Sequence, residues 1–386
     1  MVRSDRNART DLQDEDRPVP GHDEDRLQAG VALGFRDLLR RALDRRRALL
    51  DDPALEAIRV FHGAADGLEG VLVDRYGRGA VLALREPPPL ESAEASRAIL
   101  EGAGVSAVYY KPFVENRPHL AGALGKRLLD PRPLSGAPLP EAYLVRERAA
   151  RFEVRLYAGF STGLFLDQRE NRAFLASGAD GLRLLNAFCY TCSFSVAASL
   201  EGATTTNVDV SSRALAWARR NFDHNGLDAA DHRFVKMDAL RFLAHARKRG
   251  LRYDLIVLDP PTFSSGDRRR GIRPWSAVRD YARLVGEAAA VLAPGGRIFA
   301  STNASGLCAP GRLEREIERG LGARPRWHPL PPRPPDFPGG EALPAYRLFT
   351  LPTRSRPAAP AAEGRAARAP DRPEGARSSR GASRSR

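Results

Sequence analysis

Cysteine is scarce: Cys189, Cys192 and Cys308 are the only three in 386 residues. So few thiols in so long a chain exclude a disulfide framework and fit a reducing compartment. Long hydrophobic runs are missing as well, because no apolar stretch approaches the ~20 residues that a membrane-spanning helix needs. The opening MVRSDRNARTDLQDEDRP lacks the apolar core of a secretory signal, so a cytoplasmic protein without membrane attachment is expected. Metal ligands are thin. The seven His and Cys308 supply no second spaced pair beside the C-x-x-C of residues 189–192, so no metal site is expected.

What is present is enough for a large core, with 42% hydrophobic residues over a length that suits two domains. The formal net charge of +14 points to an anionic partner. Part of it lies in residues 352–386, where nine Arg face only Glu363, Asp371 and Glu374. That tail is built from Ala, Pro, Arg, Ser and Gly and has little to bury, so it reads as disordered; it is either an electrostatic arm or a solvated extension. Residues 1–29 read as a disordered lead for the same reason.

Between these ends the pattern divides. Residues 34–50, GFRDLLRRALDRRRALL, put Phe35, Leu38, Leu39, Ala42 and Leu49 at helical spacing, with Arg36, Arg40, Arg41 and Arg45–Arg47 mostly opposite. Short strand-like runs follow from 56 to 157, with one helical stretch near 91–101, so residues 30–160 form a basic helix and a small α+β domain. From 161 to 351 strands and helices alternate. LRLLNAF, ATTTNVDV, HRFVKMDA, YDLIVLDPP and GGRIFAST each precede a helical segment, which implies a mostly parallel α/β sheet with helices on both faces. The last two strand-like pieces, near RWHPL and AYRLFTL, have only a Pro-rich link between them. A Rossmann-like parallel sheet closed by such an antiparallel hairpin is the layout of class I methyltransferases and differs from that of dehydrogenases.

Ligands of such sheets sit at the carboxyl ends of the strands. The first strand runs into NAFCYTCSFS, which has no G-x-G-x-x-G for a pyrophosphate; this argues against a dinucleotide and is tolerable for S-adenosylmethionine (SAM), which has no phosphate. Asp209 ends the second strand, about 20 residues past the turn, where a carboxylate can accept ribose hydroxyls. Asp238 ends the third strand, where it can accept from an adenine amine or simply cap a helix. Asp259 ends the fourth. CYTC is also the spacing of a thioredoxin-type redox pair, although no compact domain of that kind surrounds it; two small side chains packed beside the cofactor is the preferred reading.

The segments DGLEGVLVDRYG (66–77), GLFLDQRENR (163–172), NAFCYTCSFSVAA (186–198), LDPPTFS (258–264) and the closing PPDFP together resemble the bacterial SAM-dependent 23S rRNA methyltransferases. The branch is that of the large-subunit enzymes making 5-methylcytosine and 7-methylguanine, and the likeness runs from about residue 34 to 351. Two departures stand out: no PUA RNA-binding module, and Cys192 where the family usually has the glycine of Y-T-G. The resemblance implies that Asn186, Phe188, Tyr190, Asp209, Asp238 and Asp259 line the SAM site. It implies that Phe165, Gln168 and Arg169 form the wall where cofactor meets substrate. Tyr190 and Phe188 can equally be core, and DQRENR a helix start with solvated charges.

The fourth strand end is then a catalytic turn. Asp259 enters the cleft, Pro260 and Pro261 stiffen the backbone, and Phe263 stacks on an extruded base. Arg268, Arg269, Arg270 and Arg273 hold flanking phosphates of the RNA, or belong to a solvated loop. Cytosine C5 needs a cysteine to add to the ring, which the family places after the fifth strand in an S-C-S context. Here FASTNASG puts Thr302 there, with Cys308 six residues on. Guanine N7 has an in-plane lone pair and needs alignment alone. Guanine N7 therefore ranks ahead of an exocyclic amine, and cytosine C5 comes last; a catalytically silent SAM-binding RNA-contact protein and a small-molecule methyltransferase are the other readings.

Overall fold

The computed structural model describes residues 22–84, 93–112, 126, 128–267, 272–339 and 344–352. The expected tail past Pro352, residues 1–21 of the expected lead, and Arg268–Arg270 lie outside the described residues. Within the lead, residues 22–29 are helical, because α1 (His22–Arg45) begins there.

Helix α1 buries Phe35, Leu39, Ala42 and Leu43 against a five-stranded sheet. That sheet has the order β1 (Ala57–His62), β2 (Val71–Tyr76), β3 (Gly79–Leu84), β4 (Ala107–Pro112), β5 (Ser135–Gly136), with α2 (Ala93–Ala103) crossing between β3 and β4. The expected basic face of α1 departs from the sequence reading at one place. Arg46, just past its end, is turned inward and pairs with buried Asp66 at 2.7 Å. Arg36 bridges to Glu101 and Arg45 to Asp66. A hairpin of β6 (Tyr143–Glu147) and β7 (Ala150–Val154) follows.

The second sheet has seven strands. Its members are β8 (Arg183–Ala187), β9 (Thr204–Asp209), β10 (Arg233–Lys236), β11 (Tyr253–Leu258), β14 (Leu292–Thr302), β15 (Arg326–His328) and β16 (Ala345–Thr350), in the order β10-β9-β8-β11-β14-β16-β15. The first five run parallel, and β16 inserts antiparallel between β14 and β15, as the Pro-rich link implied. The intervening helices are α3 (Arg169–Ala176), α4 (Ser193–Leu200), α5 (Ser212–Asp223), α6 (Ala239–Lys248), α7 (Ala277–Ala289) and α8 (Arg312–Leu321). Ser211 caps α5 by accepting from Ala214 N, and Gly226 beyond it has a φ of 67°. A small hairpin, β12 (Phe263–Ser264) with β13 (Trp275–Ser276), springs from the end of β11.

Burial on both faces explains the apolar run Leu255–Leu258 of β11. Ile256 and Leu258 pack toward Phe242, Tyr281 and Ile317, whereas Leu255 and Val257 pack toward Leu175, Phe194 and Phe299. A further cluster crosses from the first sheet to the second, joining Ala57, Tyr76, Val81 and Tyr109 to Cys192, Leu215, Phe222 and Phe337. The two sheets therefore share a core, inside one compact unit that ends at Pro352. Among the described residues no helix is long and apolar enough to cross a membrane.

Candidate active site

The parallel strands end in register. Ala187 pairs with Val208 and with Leu258, and Leu258 pairs with Ala300. One residue further on, that row becomes Phe188, Asp209, Asp259 and Ser301. The chain leaves β8 toward β9 on one side, and β11 lies on the other, so this row straddles the point where ligands of such sheets bind.

The turn after β8 is tightly wound. Phe188, Tyr190 and Cys192 have φ of 62°, 48° and 64°, left-handed values that cost non-glycine residues about 1 kcal/mol or more each. Hydrogen bonds hold it: Cys189 N donates to Val208 O at 3.0 Å, Cys192 N to Cys189 O at 2.7 Å, and Asn221 Nδ2 to Thr191 O at 2.9 Å. The left-handed Cys192 supplies the physical reason a glycine suits that position. Its side chain is fully enclosed, and burial pushes the neighbouring Cys189 thiol well up. Two buried cysteines, with the Cys189 thiol pushed up by burial, are unsuited to thiol exchange, which argues against the redox reading of CYTC.

Asp209 accepts from Tyr190 N at 3.0 Å with one oxygen and from Ser211 N at 2.8 Å with the other. Burial raises its pKa, and these backbone donors oppose that. A backbone bond from Val210 joins these two, which leaves the carboxylate acceptor capacity for about one further donor such as a ribose hydroxyl. Asp238 acts as the N-cap of α6, accepting from Arg241 N at 3.0 Å. The Asn186 amide is committed below the cleft, donating to Ser195 Oγ at 2.9 Å in a buried chain that continues to Asn207 and Thr205. Phe188 rests on Trp275 with ring centroids 5.5 Å apart, and Tyr190 lies between Phe165 and Trp217.

The row's most unusual group is Asp259. Burial drives its pKa up to about 6 against a hydrogen bond from Ser301, while the nearby Asp167 charge raises it further. Ser301 Oγ in turn accepts from Gln168 Nε2 at 2.9 Å, and Gln168 Oε1 accepts from Asn171 Nδ2 at 2.9 Å. Gln168 thus reaches the site through Ser301. Phe165 is 41% exposed on the rim, its carbonyl held by Arg172. Arg169 departs from the expected wall position: it is fully buried and paired with buried Asp336 of the PPDFP segment, also donating to Ala57 O at 3.3 Å. A guanidinium so enclosed needs partner carboxylates; Asp336, from the loop before β16, is the fully buried one, and Glu170 adds a second contact at 3.4 Å.

Beyond Asp259, Pro260 is buried and Pro261 O accepts from Trp275 Nε1 at 2.7 Å, which ties the turn to the return strand of the β12–β13 hairpin. Phe263 stands 66% exposed at its base. Asp267 and Ile272 exchange backbone hydrogen bonds near its tip, and Arg273 is exposed beside them. On β14, Thr302 is buried with Oγ1 accepting from Ala304 N at 3.2 Å. The Cys308 thiol donates to Thr302 O at 3.6 Å, and burial raises its pKa. Sequence reasoning missed Ser301, Asp167 and Asn171. Ser301 carried a usable signal, since it stands near the end of β14, one residue before Thr302, and so occupies the same row as Asp259.

The comparisons agree with this geometry. Residues 61–348 match the model of the S-adenosylmethionine-dependent methyltransferases. Ribosomal RNA large subunit methyltransferase I of Pseudoalteromonas translucida is 34% identical over 290 residues, covering 73% of this chain and 69% of that protein. Ribosomal RNA large subunit methyltransferase K/L of Chromohalobacter salexigens is 39% identical over 242 residues, which is 60% of this chain but only 31% of that protein. A crystal structure described as a methyltransferase complexed with SAH superposes with a TM-score of 0.72 at 29% identity, covering 83% of this chain and 82% of that one. With SAM as its cofactor and a parallel sheet of the expected order, the chain belongs to the S-adenosylmethionine-dependent methyltransferase family.

Proposed function

We propose that this methyltransferase acts in the cytoplasm on a base of large-subunit 23S ribosomal RNA, by direct transfer to guanine N7. The names of its relatives support ribosomal RNA as the substrate, and the choice of atom rests on the acceptor side of the cleft. SAM, when bound, supplies an electrophilic methyl group on a positively charged sulfur. Asp209 accepts a hydrogen bond from the ribose, Asp238 is the residue assigned to the adenine, and Phe188 and Tyr190 wall the turn between them. Phe263 stacks on the target base, while Arg268–Arg270 and Arg273 hold its flanking phosphates.

The observation that carries the atom is the state of the thiols and of Thr302. Addition to a cytosine ring needs a thiolate, yet the position carries Thr302, a hydroxyl whose oxygen accepts from Ala304 N, and the Cys308 thiol is raised by burial. N7 needs no proton removed: its lone pair forms the new bond, and the purine ring gains the positive charge that sulfur gives up. In this reading the Asp259 carboxylate offsets that charge. An exocyclic amine is the second reading, favoured by the Asp259 pKa of about 6, which is near that of a working general base.

Nucleoside mass spectrometry of ribosomal RNA from cells with and without the gene tests the proposal. Loss of 7-methylguanosine is expected. Loss of a methylated exocyclic amine would select the second reading, and loss of 5-methylcytidine would overturn both.

A further inference from the structure

Strands β11 and β14 lie side by side and parallel, and past the row of Asp259 and Ser301 each offers one more polar side chain to the cleft mouth. These are Thr262 and Asn303, both exposed. Thr262 Oγ1 donates to Asn303 Oδ1 at 2.7 Å. Each side chain stands on held backbone. Thr262 O accepts from Ala277 N at 2.9 Å, and the turn through Asn303 is closed by the Ala304 N to Thr302 Oγ1 bond at 3.2 Å.

A primary amide has one acceptor oxygen and two N–H donors. With Thr262 donating to the oxygen, the face that Asn303 turns outward is the donor face. Phe263, the residue after Thr262, is 66% exposed and offers a ring for a base to lie on. On a purine, the atom next to N7 along the major-groove edge is the 6-substituent, a carbonyl acceptor in guanine and an amine donor in adenine. We propose that Asn303 donates from its amide to O6 of the target guanine, with Thr262 as the positioning residue that fixes the amide's direction. The same contact rejects adenine, where donor would meet donor. Asn303 is thus a specificity-determining residue for the transfer, an assignment that rests on the N7 reading above.

The test uses full-length protein, 23S rRNA from cells lacking the gene, and labelled SAM, with kcat/KM read for 7-methylguanosine formation. Asn303→Asp keeps an oxygen for Thr262 and nearly the same shape while removing both donors. It and Asn303→Ala are expected to lower kcat/KM toward RNA by about tenfold to a hundredfold, with SAM affinity and the unfolding midpoint unchanged. Thr262→Val should lower it several-fold, and Thr262→Ser should recover most of that loss. Full efficiency in Asn303→Asp, or a loss matched by weaker SAM binding or a lower midpoint, overturns the assignment. A wild-type product other than 7-methylguanosine overturns the reading beneath it, whatever the variants do.

Discussion

Asp259 and Cys308 show how a side chain's surroundings decide its chemistry. The Asp259 carboxyl is raised from 3.8 to about 6, chiefly by burial, so ionising it in the folded protein is unfavourable. A raised folded pKa contributes stability that is complete below the unfolded value and is lost as pH rises through about 6. Removing the charge should therefore stabilise: Asp259→Asn is expected to be more stable than wild type at pH 8, by at most about 3 kcal/mol, with the gap closing below pH 4 in denaturant titrations. The same variant should lose most of its transfer rate. In the wild type, activity should rise with pH through a midpoint at or below 6, because the bound sulfonium favours the carboxylate. Cys308→Ala is expected to retain near wild-type kcat, measured by methyl incorporation into rRNA; abolished transfer would move cytosine C5 from last place to first. Asp209 and Asp259 were legible as acids at strand ends. The Gln168–Ser301–Asp259 chain was not, since its first link spans 133 positions and its hydrogen bonds leave no local periodicity.

Periodicity carried the elements, and it failed where long-range ion pairs took over. The alternation of strand and helix past residue 161, the Ser211 cap and the closing hairpin all follow from patterns of 2 and 3.6 and from turn residues. Arg46 and Arg169 lie in charged stretches that read as solvated or ligand-facing, yet both are buried because the sequence also supplies Asp66 and Asp336 at distance. Asp336 links three elements: it pairs with Arg169 of α3, accepts from Arg59 N of β1 at 2.9 Å, and its carbonyl accepts from Arg46 at 3.5 Å. Phe337 beside it lies under the Arg59 guanidinium at 4.4 Å. Breaking this latch leaves buried guanidinium charge unpaired. Asp336→Ala should cost about 3–5 kcal/mol in denaturant unfolding, far more than Arg40→Ala, whose pair with Asp37 is exposed.

At the largest scale, a core shared by the two sheets holds the unit that ends at Pro352 together, and a net charge of +14 favours a polyanionic partner. RNA affinity should fall steeply with salt, and replacing Arg268–Arg270 and Arg273 with Ala should reduce the slope of log K against log salt as well as the affinity. A salt slope unchanged by those replacements would return the four arginines to a solvated loop. The class of fold was legible at this scale because alternation and charge are global properties. The shared core was not, because it pairs residues such as Tyr76 and Phe222 that no window of sequence contains. The most direct test of direct transfer without a cysteine is to incubate purified protein with labelled SAM and unmodified 23S rRNA and digest the product to nucleosides. The account predicts label in 7-methylguanosine, in wild type and in Cys308→Ala alike; label in 5-methylcytidine, lost in Cys308→Ala, would contradict it.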